Sequence, residues 1–467
     1  PHEIANVLGL PGIRYMLEAS KNLPLEVLVM APSCVPATHL ETSGARITSE
    51  DIEQILTWER ILGLGEVMNY PGVINLDPEM VAKLRAARGR PIDGHAPGLS
   101  GPDLWAYVIS GPRTDHECTT LAEAQEKLRA GMHILIREGT ATRNLDALLP
   151  LLTPTNSPFV HFCTDDCHPE TLTMDGHIDG IIRKAIGLGV PPELAIPSAT
   201  IHTARAYGLS DVGAIAPGYR ANLLVVSDLE SMRVDKVFAH GKLVAAGGET
   251  VVELTPYDDE HVRGSVHVSA KPLSLAITAK AGEVRVIDLS PDQVVTGEMH
   301  IDPLIEDGQV MSDIERDVLK LAVVERHNAT ENVGLGLVHG FSLKNGSLAS
   351  SVAHDSHNII VIGTNDSDMA AAVKAIVEMD GGQVVVRDGR ILARLPLPIA
   401  GLMSDLALPE VAQMGGELKQ AAASLGCILP APFMTLSFLA LPVIPSLKLT
   451  DRGLVDVNKF QIVPLFL

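Results

Sequence analysis

From residue 1 to about 205, short apolar runs alternate with stretches whose apolar residues recur at helical spacing. The runs cover 25–30, 62–68, 91–95, 111–117, 133–138 and 158–164; the helical stretches cover 49–63, 78–88, 121–131 and 176–187. Strand and helix alternating in this way predict βαβ units around a parallel sheet. Polar residues close run after run: Glu66, His95, His116 with Glu117, Arg137 with Glu138, and Asp165 with Asp166. A doubly wound sheet would gather such residues at one switch point. Their recurrence at successive strands favours a (β/α)8 barrel, whose active site is built from the C-terminal ends of its strands. Six strands are visible where a closed barrel has eight. The expectation is therefore an incomplete barrel, its first strands lying upstream of Pro1, which is no initiator residue.

After Thr203 the texture changes. A Gly- and Pro-bearing turn at 213–218 feeds an apolar strand at 221–227, and 234–239 with 242–246 reads as a hairpin around Gly241. Beyond residue 253, short strands at 284–289, 359–363, 383–387 and 390–395 are interspersed with helices at 366–379 and 409–425, which predicts an α+β domain. The expected division is thus 1–205, 206–252 and 253–467. The longest apolar stretch, 433–449, is interrupted by Pro442 and Pro445 and reads as a buried loop or strand pair, not a membrane span.

Composition narrows the class. At 467 residues the chain needs two or three cores. With 46% hydrophobic, 20% charged and only 3% aromatic residues, it reads as a globular protein with aliphatic cores. Lys and Arg number 36 against 57 Asp and Glu, a net charge of −21, which repels nucleic acid backbones and excludes them as partners. Five scattered cysteines, an odd number, read as reduced thiols in a cytoplasmic protein. No charged n-region followed by an apolar h-region opens the sequence.

The run ends carry the candidate chemistry. Glu66, His95, His116 and Asp165 fall in register at four strand ends and combine imidazole nitrogen with carboxylate oxygen, a donor set that suits a divalent ion. One such histidine alone is usually a satisfied structural group, and Asp165-Asp166 alone would read as a helix cap. Four in register is a different matter. The spacing Cys163-x3-Cys167 is not a thiolate metal site, having neither the usual spacing nor a second pair. His354, Asp355 and His357 form a polar loop ahead of a strand and could cap a site or bind a further ion.

The Glu, His, His, Asp series resembles the amidohydrolase superfamily. The surrounding words resemble its adenine deaminase branch: PHEIANVLG at 1–9, GEVMNYPGVI at 65–74, DGHAPGLSG at 93–101, IREGTATRNL at 136–145, CTDDCHP at 163–169 and GHIDGIIRK at 176–184. The C-terminal words SVAHDSHNIIVIG at 351–363, LPLPIAGLMS at 395–404 and LPVIPSLKLTDRG at 441–453 extend the resemblance over nearly the whole chain. It implies a TIM-type metal-dependent hydrolase barrel, a small β segment of a composite sandwich, and a branch-specific α+β domain. It also implies hydrolytic deamination of adenine to hypoxanthine and ammonia by metal-activated hydroxide, in purine salvage. The cofactor would be a divalent metal, binuclear, with Mn2+, Fe2+ or Zn2+ as candidates, and the assembly a homo-oligomer, a dimer. Carried onto this sequence, Glu66 would bridge the metals, His95 and His116 would be ligands, and Asp165 would be both ligand and base. Glu117 or Glu3 would face purine N1, and His2, Glu3, Glu138, His354 and His357 would contact substrate. The family's H-x-H pair and the Asp before its PHE word are not in this sequence, which leaves two further readings open. One is another amidohydrolase acting on a cyclic amide; the other is a catalytically impaired remnant.

Overall fold

The computed structural model describes residues 1–140, 142–290 and 294–467. It divides into two compact units: Pro1, 14–34 and 47–258 form the first, and 2–13, 35–46 and 259–467 the second.

In the first unit, β1 (Val29–Pro32), β2 (Ile61–Val67) and β3 (Ile92–Gly94) form one parallel sheet. β4 (Thr114–Asp115), β5 (His133–Arg137) and β6 (Val160–Cys163) form another. The register pairs Ala31 with Leu64, Val67 with Gly94, Thr114 with His133 and Arg137 with Cys163. Strand order follows chain order throughout, as in a barrel wall. Two bonds carry the wall from β3 to β4: the Arg113 N–H donates to Ile92 O at 2.9 Å, and the Gly94 N–H to Thr114 Oγ1 at 3.2 Å. All six strands lie within the runs read from sequence or extend them by a few residues.

Side chains of these strands sort by parity. Ile134, Ile136, Val160 and Phe162 pack with Leu145, Leu148, Ile181 and Ala185 in one buried core, each contributing roughly 1.5–3 kcal/mol for the larger side chains. That core holds β5 and β6 against the helix Ile178–Gly187. Helix starts are set by side chains that take otherwise orphaned backbone N–H groups. Thr48 and Asp51 form a reciprocal capping box for Ser49–Ile55, Asp77 caps Pro78–Ala86 and Thr120 caps Leu121–Arg129. The helix expected over 49–63 stops at Ile55, because the chain turns through Thr57 and Trp58 and Arg60 adopts the left-handed region at φ +64°. The strands Leu223–Val226, Val234–Ala239, Lys242–Ala246 and Glu249–Thr250 form the expected small antiparallel sheet.

The second unit is built on an eight-stranded mixed sheet. Its spatial order is Thr296–Ile301, Val284–Leu289, Val333–His339, Val318–Val324, Ile359–Gly363, Ser347–Ser350, Gly382–Arg387, Arg390–Pro396. Every residue of Val318–Val324 is buried. Helix Asp366–Glu378 covers one face through Met369, Ala372 and Ile376, against Val361, Val384 and Val386. Helix Leu408–Ser424 belongs to the opposite core, where Leu418 and Ala422 join Leu348, Ile360 and Val385. The stretch 433–449 differs from expectation: it begins as the helix Pro432–Phe438 and ends in the strand Leu447–Thr450. Pro432 sits at the first helical position, where its missing N–H costs nothing, and Pro442 and Pro445 lie beyond the helix end. Among the described residues, no helix is long and apolar enough to cross a membrane.

Candidate metal centre

The C-terminal ends of β2, β3, β4 and β6 deliver five of the expected side chains to one place. Glu66 comes from β2, His95 follows β3, His116 and Glu117 follow β4, and Asp165 follows β6. His95 Nδ1 lies 3.1 Å from Glu66 Oε2 and His116 Nε2 3.6 Å from the same oxygen. The same nitrogens lie 3.7 and 3.2 Å from Glu117 Oε1. The two imidazoles meet edge to face at 5.5 Å between centroids.

A residue that the sequence reading did not select completes the cluster. Arg137 Nη1 donates to Glu117 Oε1 at 2.5 Å and to Asp165 Oδ2 at 2.6 Å, while Nη2 reaches Glu117 Oε2 at 3.3 Å. Asp165 adopts φ +55°. Its loop is stitched to the end of β5 by bonds from Glu138 N–H to Cys163 O and from Thr140 N–H to Asp166 O. Gly139 permits that approach, since a Cβ there would sit on the carbonyls of Thr164 and Asp166.

Burial is the strongest influence on the imidazoles and on Glu117, and it disfavours their charged forms, but their neighbours override it. Glu117 and Glu66 hold His95 above its ordinary value. Glu66, Glu117 and Asp165 hold His116 well above it. His95, His116 and Arg137 hold Glu117 well below the usual carboxylate range.

Two overlapping groups have donor atoms all within 4.8 Å of one another: Glu66, His95 and His116, and His116, Glu117 and Asp165. Imidazole nitrogen with carboxylate oxygen, converging from separate strands, fits a divalent cation. A third group, Asp115, Cys118 and Glu123, does not: the Lys127 ammonium already sits 3.0 Å from Asp115 and 2.7 Å from Glu123. Cys163 and Cys167 are free thiols.

The remaining candidates make contacts within their own units. Glu138 takes the Leu145 N–H at 3.1 Å and pairs with Lys184 at 2.8 Å, so its carboxylate serves two helices of the first unit. In the second unit, His2 and Glu3 begin the helix His2–Leu8. His2 Nε2 lies 3.2 Å from Glu3 Oε1 and 3.7 Å from Asp355 Oδ1, and His354 Nδ1 lies 3.9 Å from that same oxygen. The loop carrying His354 and His357 precedes its strand as expected, and it is buried. Arg326 Nε donates to His357 O, the His327 ring bonds Ser356 O at 2.7 Å, and Asn358 Nδ2 donates to Thr42 O at 2.8 Å. His357 itself is fully buried at φ +56°.

Successive parallel strands presenting carboxylate and imidazole at their C-terminal ends define a metal-dependent barrel hydrolase. The chain belongs to the adenine deaminase family of amidohydrolases. The amidohydrolase family model matches residues 1–244, and the adenine deaminase C-terminal domain model matches residues 293–461. An adenine deaminase of Desulfatibacillum aliphaticivorans is 51% identical over 468 residues, covering 100% of this chain and 82% of that protein. Adenine deaminase 2 of Carboxydothermus hydrogenoformans is 49% identical, with the same two coverages. A solved β-aspartyl dipeptidase from Fervidobacterium islandicum covers 53% of this chain and 72% of its own at 15% identity and a TM-score of 0.40, too slight a likeness to argue from. Membership of the amidohydrolase family implies a divalent metal, and the residues present fit one.

Proposed function

We propose that this chain is an adenine aminohydrolase, converting adenine and water to hypoxanthine and ammonia. The observation that carries the reading is the convergence of Glu66, His95, His116, Glu117 and Asp165 in a chain that is 51% identical, along its full length, to an adenine deaminase. Glu66, His95, His116 and Asp165 would hold the divalent metal; Mn2+, Fe2+ and Zn2+ all accept such donors. The bound metal supplies Lewis acidity that brings water toward ionisation near neutral pH.

The chain's own groups manage the protons. Glu117, ionised at rest, takes one proton of the attacking water and carries it to purine N1, so that the ring accepts electrons as the water oxygen bonds to C6. Asp165 takes the remaining hydroxyl proton and passes it to the exocyclic nitrogen, the C6–N bond breaks, ammonia leaves and C6 becomes a carbonyl, with both carboxylates back in their starting state. Arg137, bonded to both carboxylates, sets their separation. His2, Glu3, His354 and His357 are assigned to substrate binding, tested by KM on alanine replacement. The same reading divides the chain at about 205 and 252 and makes it a cytoplasmic, homodimeric enzyme of purine salvage.

The test is to load the purified protein with Mn2+, Fe2+ or Zn2+ and offer adenine, adenosine and a cyclic amide. Ammonia and hypoxanthine from adenine are expected. Turnover of the amide alone would overturn the proposal.

A further inference from the structure

Around the candidate metal centre, two groups of buried hydrogen bonds, joined through the backbone of His95 and Ala96, touch the backbone beside three of the proposed ligands. The Tyr107 hydroxyl, fully buried on the helix Gly101–Ile109, donates to Val67 O at 2.8 Å and accepts the His95 N–H at 3.0 Å. Val67 follows Glu66, so one hydroxyl pins the end of β2 to the residue after β3. Gly94 makes room for it: a Cβ there would sit on Thr114 O and 3.1 Å from the tyrosine oxygen.

The next link is Asp115, also fully buried. One of its oxygens takes the Ala96 N–H at 2.9 Å; the other takes the Glu117 N–H at 3.1 Å and the Cys118 thiol at 3.2 Å. Its carboxylate thereby ties the residue after His95 to the residue after His116. Lys127, with no exposed side-chain surface, closes the set by donating to Asp115 at 3.0 Å, to Ala96 O at 2.7 Å and to Glu123 at 2.7 Å. Burying an ammonium and a carboxylate is expensive unless both are fully bonded. Here both are, and their bonds go to the backbone that spaces the ligands.

We infer that Tyr107, Asp115 and Lys127 are positioning residues that together fix the spacing of Glu66, His95 and His116, and so tune the affinity of the site for its divalent ion. The inference rests on the reading of those three as ligands. Outer partners of metal ligands commonly change affinity or activity by about 10–100-fold when removed.

The decisive variant is Tyr107→Phe, which deletes one oxygen from a buried ring without changing its packing. Metal affinity is measured by competition with a chelator, alongside thermal melting of the metal-free protein and kcat and KM for adenine. Metal binding about tenfold weaker or more is expected, with kcat reduced and KM within about twofold. Lys127→Met should act in the same direction and Lys127→Arg should recover part of the loss; should Lys127→Met fail to fold, Tyr107→Phe still decides. Native metal affinity in Tyr107→Phe, with or without a lowered melting temperature, would make the set a fold contact only and overturn the inference. His95→Ala is the control for the underlying reading. If it binds metal as tightly as the native chain, the ligand assignment itself fails, a result distinct from a native-like Tyr107→Phe beside a metal-free His95→Ala.

Discussion

Replacing Arg137 with Met removes a cation that bonds both Glu117 and Asp165, and the structure allows the cost to be estimated. The Arg137 side chain is 6% exposed and Glu117 8%, whereas Asp165 is 32% exposed. Breaking a buried ion pair costs about 3–5 kcal/mol, because the surviving charge is left uncompensated. His95 and His116 remain beside Glu117, and water screens the Asp165 half, which together place the total near the lower end, about 3 kcal/mol. For a unit of this size, about 1 kcal/mol moves the melting temperature by roughly 2–4 °C, so a drop of about 6–12 °C is expected in calorimetry of the metal-free protein at pH 7. Arg137→Lys, with a single point donor in place of a fork, should fall between the two. The pH dependence supplies a second reading. Neighbouring cations hold Glu117 well below its usual range, so its stabilisation is fully present above the unfolded value of about 4.3 and is lost as pH falls through the folded value. The gap between native and Arg137→Met should therefore be full at pH 7 and close in acid. A melting temperature within about 2 °C of native at pH 7, or a gap that persists in acid, would refute the argument.

Three further outcomes are expected. Thr48→Ala breaks the capping box with Asp51 and should cost about 1 kcal/mol, seen as a lower melting temperature with unchanged metal binding. Gly63→Ala would set its Cβ on the Pro91 carbonyl oxygen, backbone against backbone in the β2–β3 register, and should cost about 3 kcal/mol or more, read as lost soluble yield. Burial, with Asp355 nearby, raises Glu41 in the second unit to about 8. A carboxyl raised on folding weakens the fold as pH climbs from its unfolded value of about 4.3 toward 8. Glu41→Gln should therefore raise the melting temperature more at pH 8 than at pH 5, and an equal effect at both would count against the shift.

Much of the first unit was legible because its strands are short, buried and bounded by Gly and Pro, which makes apolar runs out of them. The same signal misled where apolar residues continued past a helix end. Leu56, Ile61 and Leu62 extend the helical pattern of 49–55, and only the left-handed turn at Arg60 separates helix from β2. At 433–449, Pro442 and Pro445 do not break the apolar pattern throughout: they follow the end of the helix Pro432–Phe438. The interior position of the His354–His357 loop left no local mark, because it depends on Arg326, His327 and Thr42, remote in sequence.

The choice between Arg137 and Glu138 could have been made from alternation alone. Ile134 and Ile136 must face the helices that cover the wall, and position 138 shares their parity, so Glu138 had to point toward Leu145 and Lys184. Position 137 then points the other way, with Leu135, into the strand-end cluster. The positioning residues left a comparable trace. Lys127 stands three residues from Ala124 on the buried face of its helix, and Tyr107 stands beside Leu104 and Val108 on the buried face of its own. A lysine on an apolar stripe needs a buried acceptor to be tolerated. One acidic residue, Asp115, adjoins His116 on the strand side, so the pairing that ties the scaffold to the site was written in the periodicity of one helix and the end of one strand.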